Sequence, residues 1–304
     1  MIEARALTKY YGRHCALRGV DFRIEAREIV GFLGLNGSGK STTLHILGGL
    51  MAPSSGTVRI DGADLSGPSG PEVRRRIGFL PDRPPVYDEM SVRSYLRFAA
   101  QLRGVRPGAR SLSETMAQTG LSDHAERPIE ELSHGYRQRV GIAQAIVHDP
   151  DLVILDEPTS GLDPVQIGHM RQLIRSLRSR HTVLLSSHNL PEIAQTCDRL
   201  MVIRDGQLVA SATESELRAR MGSETQAEVE TSEDATGALV SAREAGLIRG
   251  FTERRDLVYL VELSGRVEDL VARLVSDGVG VRRVQPTGSE LEGLFRALTE
   301  DKAA

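Results

Sequence analysis

The sequence predicts an α/β fold followed by a smaller α+β domain, and three features of the 304-residue chain indicate this. Apolar runs at 152–155 and 182–186 flank a segment of helical periodicity at 165–178, and this strand–helix–strand order is typical of a parallel sheet. The apolar run at 28–35 is too short for a helix and ends in glycines, as a strand buried on both faces does. From about residue 222 a polar stretch introduces strands and helices that suit a separate small domain. The predicted domains are residues 1–222 and 223–304.

The remaining elements are predicted from local patterns. Residues 2–7 and 20–24 alternate between apolar and polar side chains, as strands do, and 56–60 with its Asp61-Gly62 turn predicts a hairpin. Apolar residues recur at helical spacing from Val92 to Ala99, and Ser133 is placed to cap a later helix. The other predicted helices are 112–119, 133–148, 235–245, 267–275 and 290–299, and the other predicted strands are 227–231, 257–263 and 279–284.

Composition excludes several classes of protein. With 40% hydrophobic residues and a net charge of −3, the chain is neither disordered nor suited to coating nucleic acid, so we expect no nucleic-acid partner. Cys15 and Cys197 form no CxxC pair, which argues against a disulfide or zinc site and for a reducing compartment. The N-terminus has no signal-peptide pattern, and the longest charge-free stretch, 41–58, is broken by glycine and proline. We therefore expect a soluble cytoplasmic chain.

A glycine-rich loop follows the predicted strand at 28–35. Gly34-Leu-Asn-Gly-Ser-Gly-Lys40-Ser41 fits the G-x-x-x-x-G-K-[ST] pattern, in which backbone N–H groups and a helix N-terminus surround phosphate oxygens. Only three of the 38 basic residues are lysines, and we expect Lys40 to reach the β- and γ-phosphates and Ser41 to hold Mg²⁺. Lys9 and Lys302 are interpreted as incidental. The predicted nucleotide-binding residues here are Gly34, Leu35, Asn36, Gly37, Ser38, Gly39, Lys40, Ser41 and Thr42.

Two consecutive acids, Asp156 and Glu157, follow the apolar run at 152–155. Ligands bind at the carboxyl ends of strands in open α/β sheets, so both side chains are expected near the glycine-rich loop. Asp156 suits Mg²⁺ coordination through water. Glu157 suits a general base that polarises an attacking water, a role typically worth about 10²–10⁴-fold in rate. Together with the loop, the two acids predict hydrolysis of a nucleoside triphosphate.

A third motif, Leu132-Ser-His-Gly-Tyr136, begins 92 positions after Lys40 and ends 20 positions before Asp156. With this motif in place, residues 1–220 resemble the ABC (ATP-binding cassette) ATPases, whose signature is LSGGQ. The resemblance implies a P-loop nucleotide-binding domain with a mixed-sheet core, an antiparallel β subdomain and a helical subdomain at about 88–148. It also implies ATP and Mg²⁺ as cofactors.

The resemblance carries further roles onto matching positions. Tyr11 matches the aromatic residue that stacks on adenine, and Ser133 and Gly135 match the signature residues that meet the γ-phosphate. His188 matches the switch histidine that contacts the γ-phosphate, and 160–164 (SGLDP) matches the D-loop. The catalytic residues implied are therefore Glu157 and His188.

The chain also departs from the family's pattern. His134 and Tyr136 replace a glycine and a glutamine of the signature. Asp82 occupies the position of the Q-loop glutamine, where a carboxylate can still meet Mg²⁺ but cannot donate a hydrogen bond to position water. The predicted metal ligands are Ser41, Asp156 and Asp82. The stretches 84–98 and 291–301 are similar to the subgroup that serves ABC-2-type exporters and gliding-motility systems.

One copy of each motif implies a head-to-tail dimer, either of two identical chains or of this chain with another cassette. The resemblance also implies a transmembrane permease subunit docked at about 82–145, which would hold the chain on the cytoplasmic face of the cell membrane. A non-transport ABC ATPase of DNA maintenance is the alternative, although the 93 positions from Lys40 to Ser133 leave no room for a long coiled coil. A nucleotide-dependent regulator without turnover is a further alternative. For the C-terminal domain, dimer stabilisation, binding of a regulator and covering of the cassette all remain open.

Overall fold

The structure is a computed structural model that describes residues 1–105, 109–187, 189–213, 216 and 226–286. The chain forms two compact units, Met1–Glu214 and Ser215–Ala304. The boundary expected from the sequence, at 222/223, lies in a stretch outside the described residues, as do the predicted helix at 290–299 and the predicted switch residue His188. Within the described ranges, every helix is too short or too polar to span a bilayer.

The first unit begins with an antiparallel sheet built from hairpins. Its strand order is β2-β1-β4-β5, with the predicted hairpin turn at Asp61-Gly62 between β4 and β5. On β1 the side chains of Ile2, Ala4 and Leu7 are buried, but the predicted alternation is interrupted between Ala4 and Leu7, where the register shifts and Ala6 is exposed. The strands are β1 (Ile2–Tyr11), β2 (His14–Ile24), β4 (Ser55–Ile60) and β5 (Ala63–Asp64).

A six-stranded sheet forms the centre of the first unit, in the order β10-β9-β3-β8-β7-β6. All neighbouring strands are parallel except β10, which is antiparallel to β9 at the edge. Strands β3, β6, β7 and β8 are buried along their whole length, which explains their continuous apolar sequences. The mixed sheet and the antiparallel sheet confirm the predicted fold class. The strands are β3 (Ile29–Leu33), β6 (Ile77–Leu80), β7 (Leu152–Leu155), β8 (Thr182–Ser187), β9 (Arg199–Arg204) and β10 (Gln207–Ala212).

Helix α1 lies between the two sheets, and side chains of both sheets and of α1 share one apolar core. Helices α3, α4 and α5 contribute to a second core around Leu96, Met116 and Val140. Ser133 precedes α5 as predicted, but its side chain makes no capping hydrogen bond. The helices of this unit are α1 (Lys40–Leu47), α2 (Gly70–Arg75), α3 (Val92–Leu102), α4 (Ala109–Gln118), α5 (His134–Ile146), α6 (Pro164–Leu177) and α7 (Leu190–Thr196).

Residues 226–286, the described part of the second unit, have the order βαββαβ and one antiparallel sheet, β12-β13-β11-β14, as in ferredoxin-like folds. Its core includes Leu239, Tyr259 and Leu270. Strand β12 is absent from the predicted elements because it is an edge strand in which only Ile248 is buried, so apolar alternation is lost. The elements are β11 (Gln226–Thr231), α8 (Thr236–Glu244), β12 (Ile248–Arg255), β13 (Val258–Leu263), α9 (Val267–Ser276) and β14 (Val281–Pro286).

Candidate nucleotide-binding site

The glycine-rich loop joins β3 to α1 in a conformation that requires glycine. Gly37 and Gly39 have φ values of 81° and 108°, in the left-handed region that L-residues with a Cβ rarely adopt. A Cβ on Gly39 would also lie 2.7 Å from the carbonyl oxygen of Ala16. The loop therefore turns tightly into α1, whose N-terminal N–H groups carry partial positive charge and suit a phosphate.

Lys40 is buried at the first position of α1. Its Nζ donates hydrogen bonds to the carbonyl oxygens of Gly34, at 2.6 Å, and Leu35, at 3.1 Å. Burial lowers the pKa of the Lys40 ammonium, while the negative charges of Glu157 and Asp156 act in the opposite direction. The ammonium is thus held inside the loop and within the field of both acids.

Asp156 and Glu157 follow β7 at the carboxyl edge of the six-stranded sheet, next to the residues that follow β3 and β8. The Asp156 carboxylate is buried and accepts a hydrogen bond from Ser186 Oγ at 2.5 Å. The backbone N–H of Glu157 donates to the same Ser186 oxygen at 3.0 Å. Glu157 has a φ of 50°, an uncommon left-handed conformation for a residue with a side chain.

These elements surround one cleft of about 440 Å³. Tyr11 approaches it from β1 and Asp82 from the segment after β6, so side chains that are far apart in sequence meet there. Gly34, Leu35 and Ser38 are not part of the described lining; Gly34 and Leu35 act through the carbonyl groups that receive Lys40. The predicted residues that line the cleft are Tyr11, Asn36, Gly37, Gly39, Lys40, Ser41, Thr42, Asp82, Asp156 and Glu157.

The polar groups of the cleft fit a magnesium–nucleotide complex. Its described lining carries three carboxylates, those of Asp82, Asp156 and Glu157, against one lysine, so a polyphosphate needs a divalent cation to offset repulsion. Hydroxyl and carboxylate oxygens are the ligands that Mg²⁺ prefers. Within the described ranges, no group of three or more His, Cys, Asp or Glu side chains is arranged to hold a metal ion. Ser38 Oγ is buried without a hydrogen-bond partner among the described residues.

Tyr11, the expected adenine-stacking residue, is supported by two side chains that the sequence did not indicate. Its hydroxyl donates to Met51 Sδ at 3.0 Å, and Lys9 Nζ lies 5.6 Å from the centre of its ring. Lys9 also donates to the carbonyl oxygen of Ala52 at 2.8 Å. Lys9, interpreted from the sequence as incidental, has defined contacts in the structure: its ammonium joins the Tyr11 ring to the segment after α1. Three further lining residues, His14, Ala16 and Ser160, were not among the predicted nucleotide-binding residues.

The signature residues lie elsewhere on the chain. Ser133 and Gly135 border a separate cavity of about 110 Å³ between α5 and α6, and neither belongs to the described lining of the nucleotide cleft. His134, which replaces a signature glycine, has its Nε2 3.0 Å from the carbonyl oxygen of Ser160. Because Ser160 lines the nucleotide cleft, this contact joins the signature to that cleft within one chain.

Comparison with known proteins agrees with this geometry. The ABC transporter family profile matches residues 17–160. The bacitracin transport ATP-binding protein BcrA of Bacillus licheniformis is 32% identical over 98% of this chain and 97% of its own length. The linearmycin resistance ATP-binding protein LnrL of Bacillus subtilis is 29% identical over 98% of each chain.

A solved dimeric, post-hydrolysis structure of the ATP-binding cassette MJ0796, bound to ADP and Pi, is 26% identical and has a TM-score of 0.63. It covers 70% of this chain and 98% of the MJ0796 chain. The chain therefore belongs to the ABC transporter ATP-binding proteins. It is an ATPase whose hydrolysis of ATP powers a transporter.

Proposed function

We propose that this ATPase powers ABC-2-type export, as a dimer bound to a separate transmembrane permease on the cytoplasmic face of the cell membrane. The dimer proposal rests on the positions of the motifs in one chain. The phosphate loop and Glu157 share one cleft, while Ser133 and Gly135 border another cavity. A complete site then needs the signature of a second chain. We take two identical chains as the simplest dimer and a different cassette as the alternative.

Export is supported by relatives that align with nearly the whole length of the chain. BcrA and LnrL are named for bacitracin transport and linearmycin resistance, and both align over 98% of this chain, including its second unit. The helices between the phosphate loop and the signature are short, with 11 residues in α3 and 10 in α4, which does not suit a DNA-maintenance ATPase with long coiled coils. We place the permease contact on the segment after Asp82 and on the helices that follow.

In the proposed mechanism, Tyr11 stacks on adenine while Lys40 and the N-terminus of α1 bind the phosphates. Ser41, Asp156 and Asp82 would hold Mg²⁺, which when bound offsets phosphate charge and polarises the γ-phosphoryl group. Glu157 accepts a proton from the attacking water as the water oxygen bonds to the γ-phosphorus, while the bond from the γ-phosphorus to the β,γ-bridging oxygen breaks and ADP leaves. The role proposed for His188, contact with the γ-phosphate, rests on the resemblance of its motif.

The test of this function is the substitution Glu157→Gln. We expect the purified chain to hydrolyse ATP in the presence of Mg²⁺, and Glu157→Gln to bind ATP but retain at most a few per cent of the turnover, since the amide cannot accept the proton. Glu72→Gln makes the same chemical change at an exposed site on α2 and should match the wild type. Undiminished turnover of Glu157→Gln would refute the assignment of the base.

The same variant tests the assembly. Light scattering of Glu157→Gln with ATP should show a dimer that reverts to a monomer when ATP is removed, and a persistent monomer would favour a different partner cassette. Capture on immobilised Glu157→Gln from detergent-solubilised membranes should recover a polytopic membrane protein. Equal recovery without ATP, or recovery of DNA-binding proteins alone, would count against the transport proposal.

A further inference from the structure

Ser186 stands between the two acids of the cleft, and its side chain is completely buried near the end of β8. Its single hydroxyl proton goes to Asp156 Oδ1 at 2.5 Å. The same oxygen accepts the backbone N–H of Glu157 at 3.0 Å. One hydroxyl from a neighbouring strand therefore contacts both the carboxylate of the first acid and the main chain of the second.

The Glu157 contact matters because the main chain there is strained. A left-handed conformation costs about 1–2 kcal/mol for a residue with a Cβ, and it persists only where surrounding bonds hold it. Two hydrogen bonds hold the Glu157 peptide groups: its N–H donates to Ser186 Oγ, and its carbonyl oxygen accepts from the N–H of Ser160 at 3.0 Å. The first of these is made by a side chain, so a substitution can remove it.

The Asp156 contact limits the directions in which that carboxylate can turn. Its main chain is anchored separately, since the Asp156 N–H donates to the carbonyl oxygen of Leu80 on β6 at 2.9 Å. With the main chain fixed on one side and Oδ1 bonded to Ser186 on the other, the carboxylate of Asp156 has little freedom to turn where Asp156 lines the cleft. Outer partners of this kind orient metal-binding carboxylates in proteins.

We propose that Ser186 is a positioning residue for ATP hydrolysis, which fixes the Asp156 carboxylate and the left-handed main chain of Glu157 through one hydroxyl. The proposal rests on the functions proposed above for Asp156 and Glu157. It predicts that loss of the hydroxyl impairs the chemical step while the phosphate loop still binds ATP. The reason is that neither of the two hydrogen bonds made by Ser186 involves Lys40 or the loop.

The test uses three substitutions in the full chain: Ser186→Ala removes the hydroxyl, Ser186→Thr keeps it, and Ser186→Cys keeps the shape with a weaker donor. We expect Ser186→Ala to lower kcat by about 10–100-fold and to raise the KM for the magnesium complex of ATP by about 10-fold, because Asp156 is then held less firmly for the ion. Ser186→Thr should recover most of kcat, and Ser186→Cys should be intermediate. Thr119→Val is the matched control, because its hydroxyl is equally buried but bonds within the helical region.

A second readout does not depend on turnover. The Kd of ATP, measured by equilibrium dialysis with EDTA, should be the same for Ser186→Ala and the wild type, and with Mg²⁺ the variant should bind more weakly by about 10-fold or more. Wild-type kcat in Ser186→Ala, or a Thr119→Val that loses kcat equally, would overturn the proposal. If instead the wild type lacks Mg²⁺-dependent hydrolysis, or Glu157→Gln retains it, the proposed function of the two acids fails.

Discussion

His148 should make the first unit less stable as the pH falls, and the structure allows the size of this effect to be worked out. The imidazole is buried just after α5, with Nε2 3.3 Å from the carbonyl oxygen of Ile77 and Nδ1 without a partner among the described residues. Burial lowers the pKa of His148 to about 4, and the charge of Arg103 acts in the same direction. His181 lowers the pKa as well, whereas Asp149 and the Ile77 contact oppose the shift.

In the unfolded chain, a histidine has a pKa of about 6.5. Between this value and about 4 the unfolded chain binds a proton at His148 that the folded chain does not bind, so the free energy of unfolding falls as the pH falls through this window. The stability that comes with a neutral His148 is fully present above about pH 6.5. The difference in pKa between the unfolded and folded chains corresponds to about 3 kcal/mol in the free energy of unfolding. Of this, about 2 kcal/mol should be lost between about pH 7 and pH 4.5.

The assay is urea unfolding of the wild type and of His148→Gln at several pH values. Glutamine can still donate to the Ile77 carbonyl group but does not titrate, and other groups cancel in the difference between the two proteins. The free energy of unfolding of His148→Gln minus that of the wild type should rise by about 2 kcal/mol when the pH is lowered from about 7 to about 4.5. His169→Gln, at an exposed position on α6, should follow the wild type. A difference that stays constant with pH would refute the reasoning.

Two further predictions concern the cleft. Tyr11→Ala should raise the KM for ATP about 10-fold through loss of base stacking, while Tyr11→Phe should stay within about twofold of the wild type. If both substitutions raise the KM equally in steady-state kinetics, the hydroxyl contact with Met51 matters rather than the ring. Asp82→Gln should keep at least basal ATPase activity, since the resemblance places the Q-loop glutamine of ABC ATPases at this position. Complete loss of phosphate release would instead show that the Asp82 carboxylate is an essential ligand.

Some elements with a dense local pattern were predicted well, but the buried strands β6 (Ile77–Leu80) and β9 (Arg199–Arg204) were missed. The strand at 152–155 has the predicted bounds, and the helix predicted at 165–178 spans Pro164–Leu177. In both segments, burial is periodic or continuous enough to be seen in sequence. Strand β12 was missed because an exposed edge strand buries too few side chains to leave such a pattern.

The sequence by itself determined the phosphate loop, because a run of eight residues contains the glycines, the lysine and the hydroxyl that the loop needs. It also indicated Asp156 and Glu157, which adjoin a buried strand. The tertiary structure decided which distant groups meet them: strand order brings Ser186 to both acids, and the β1–β2 hairpin brings Tyr11 to the same cleft. Pairing between strands far apart in the chain sets these contacts, and no local spacing encodes it.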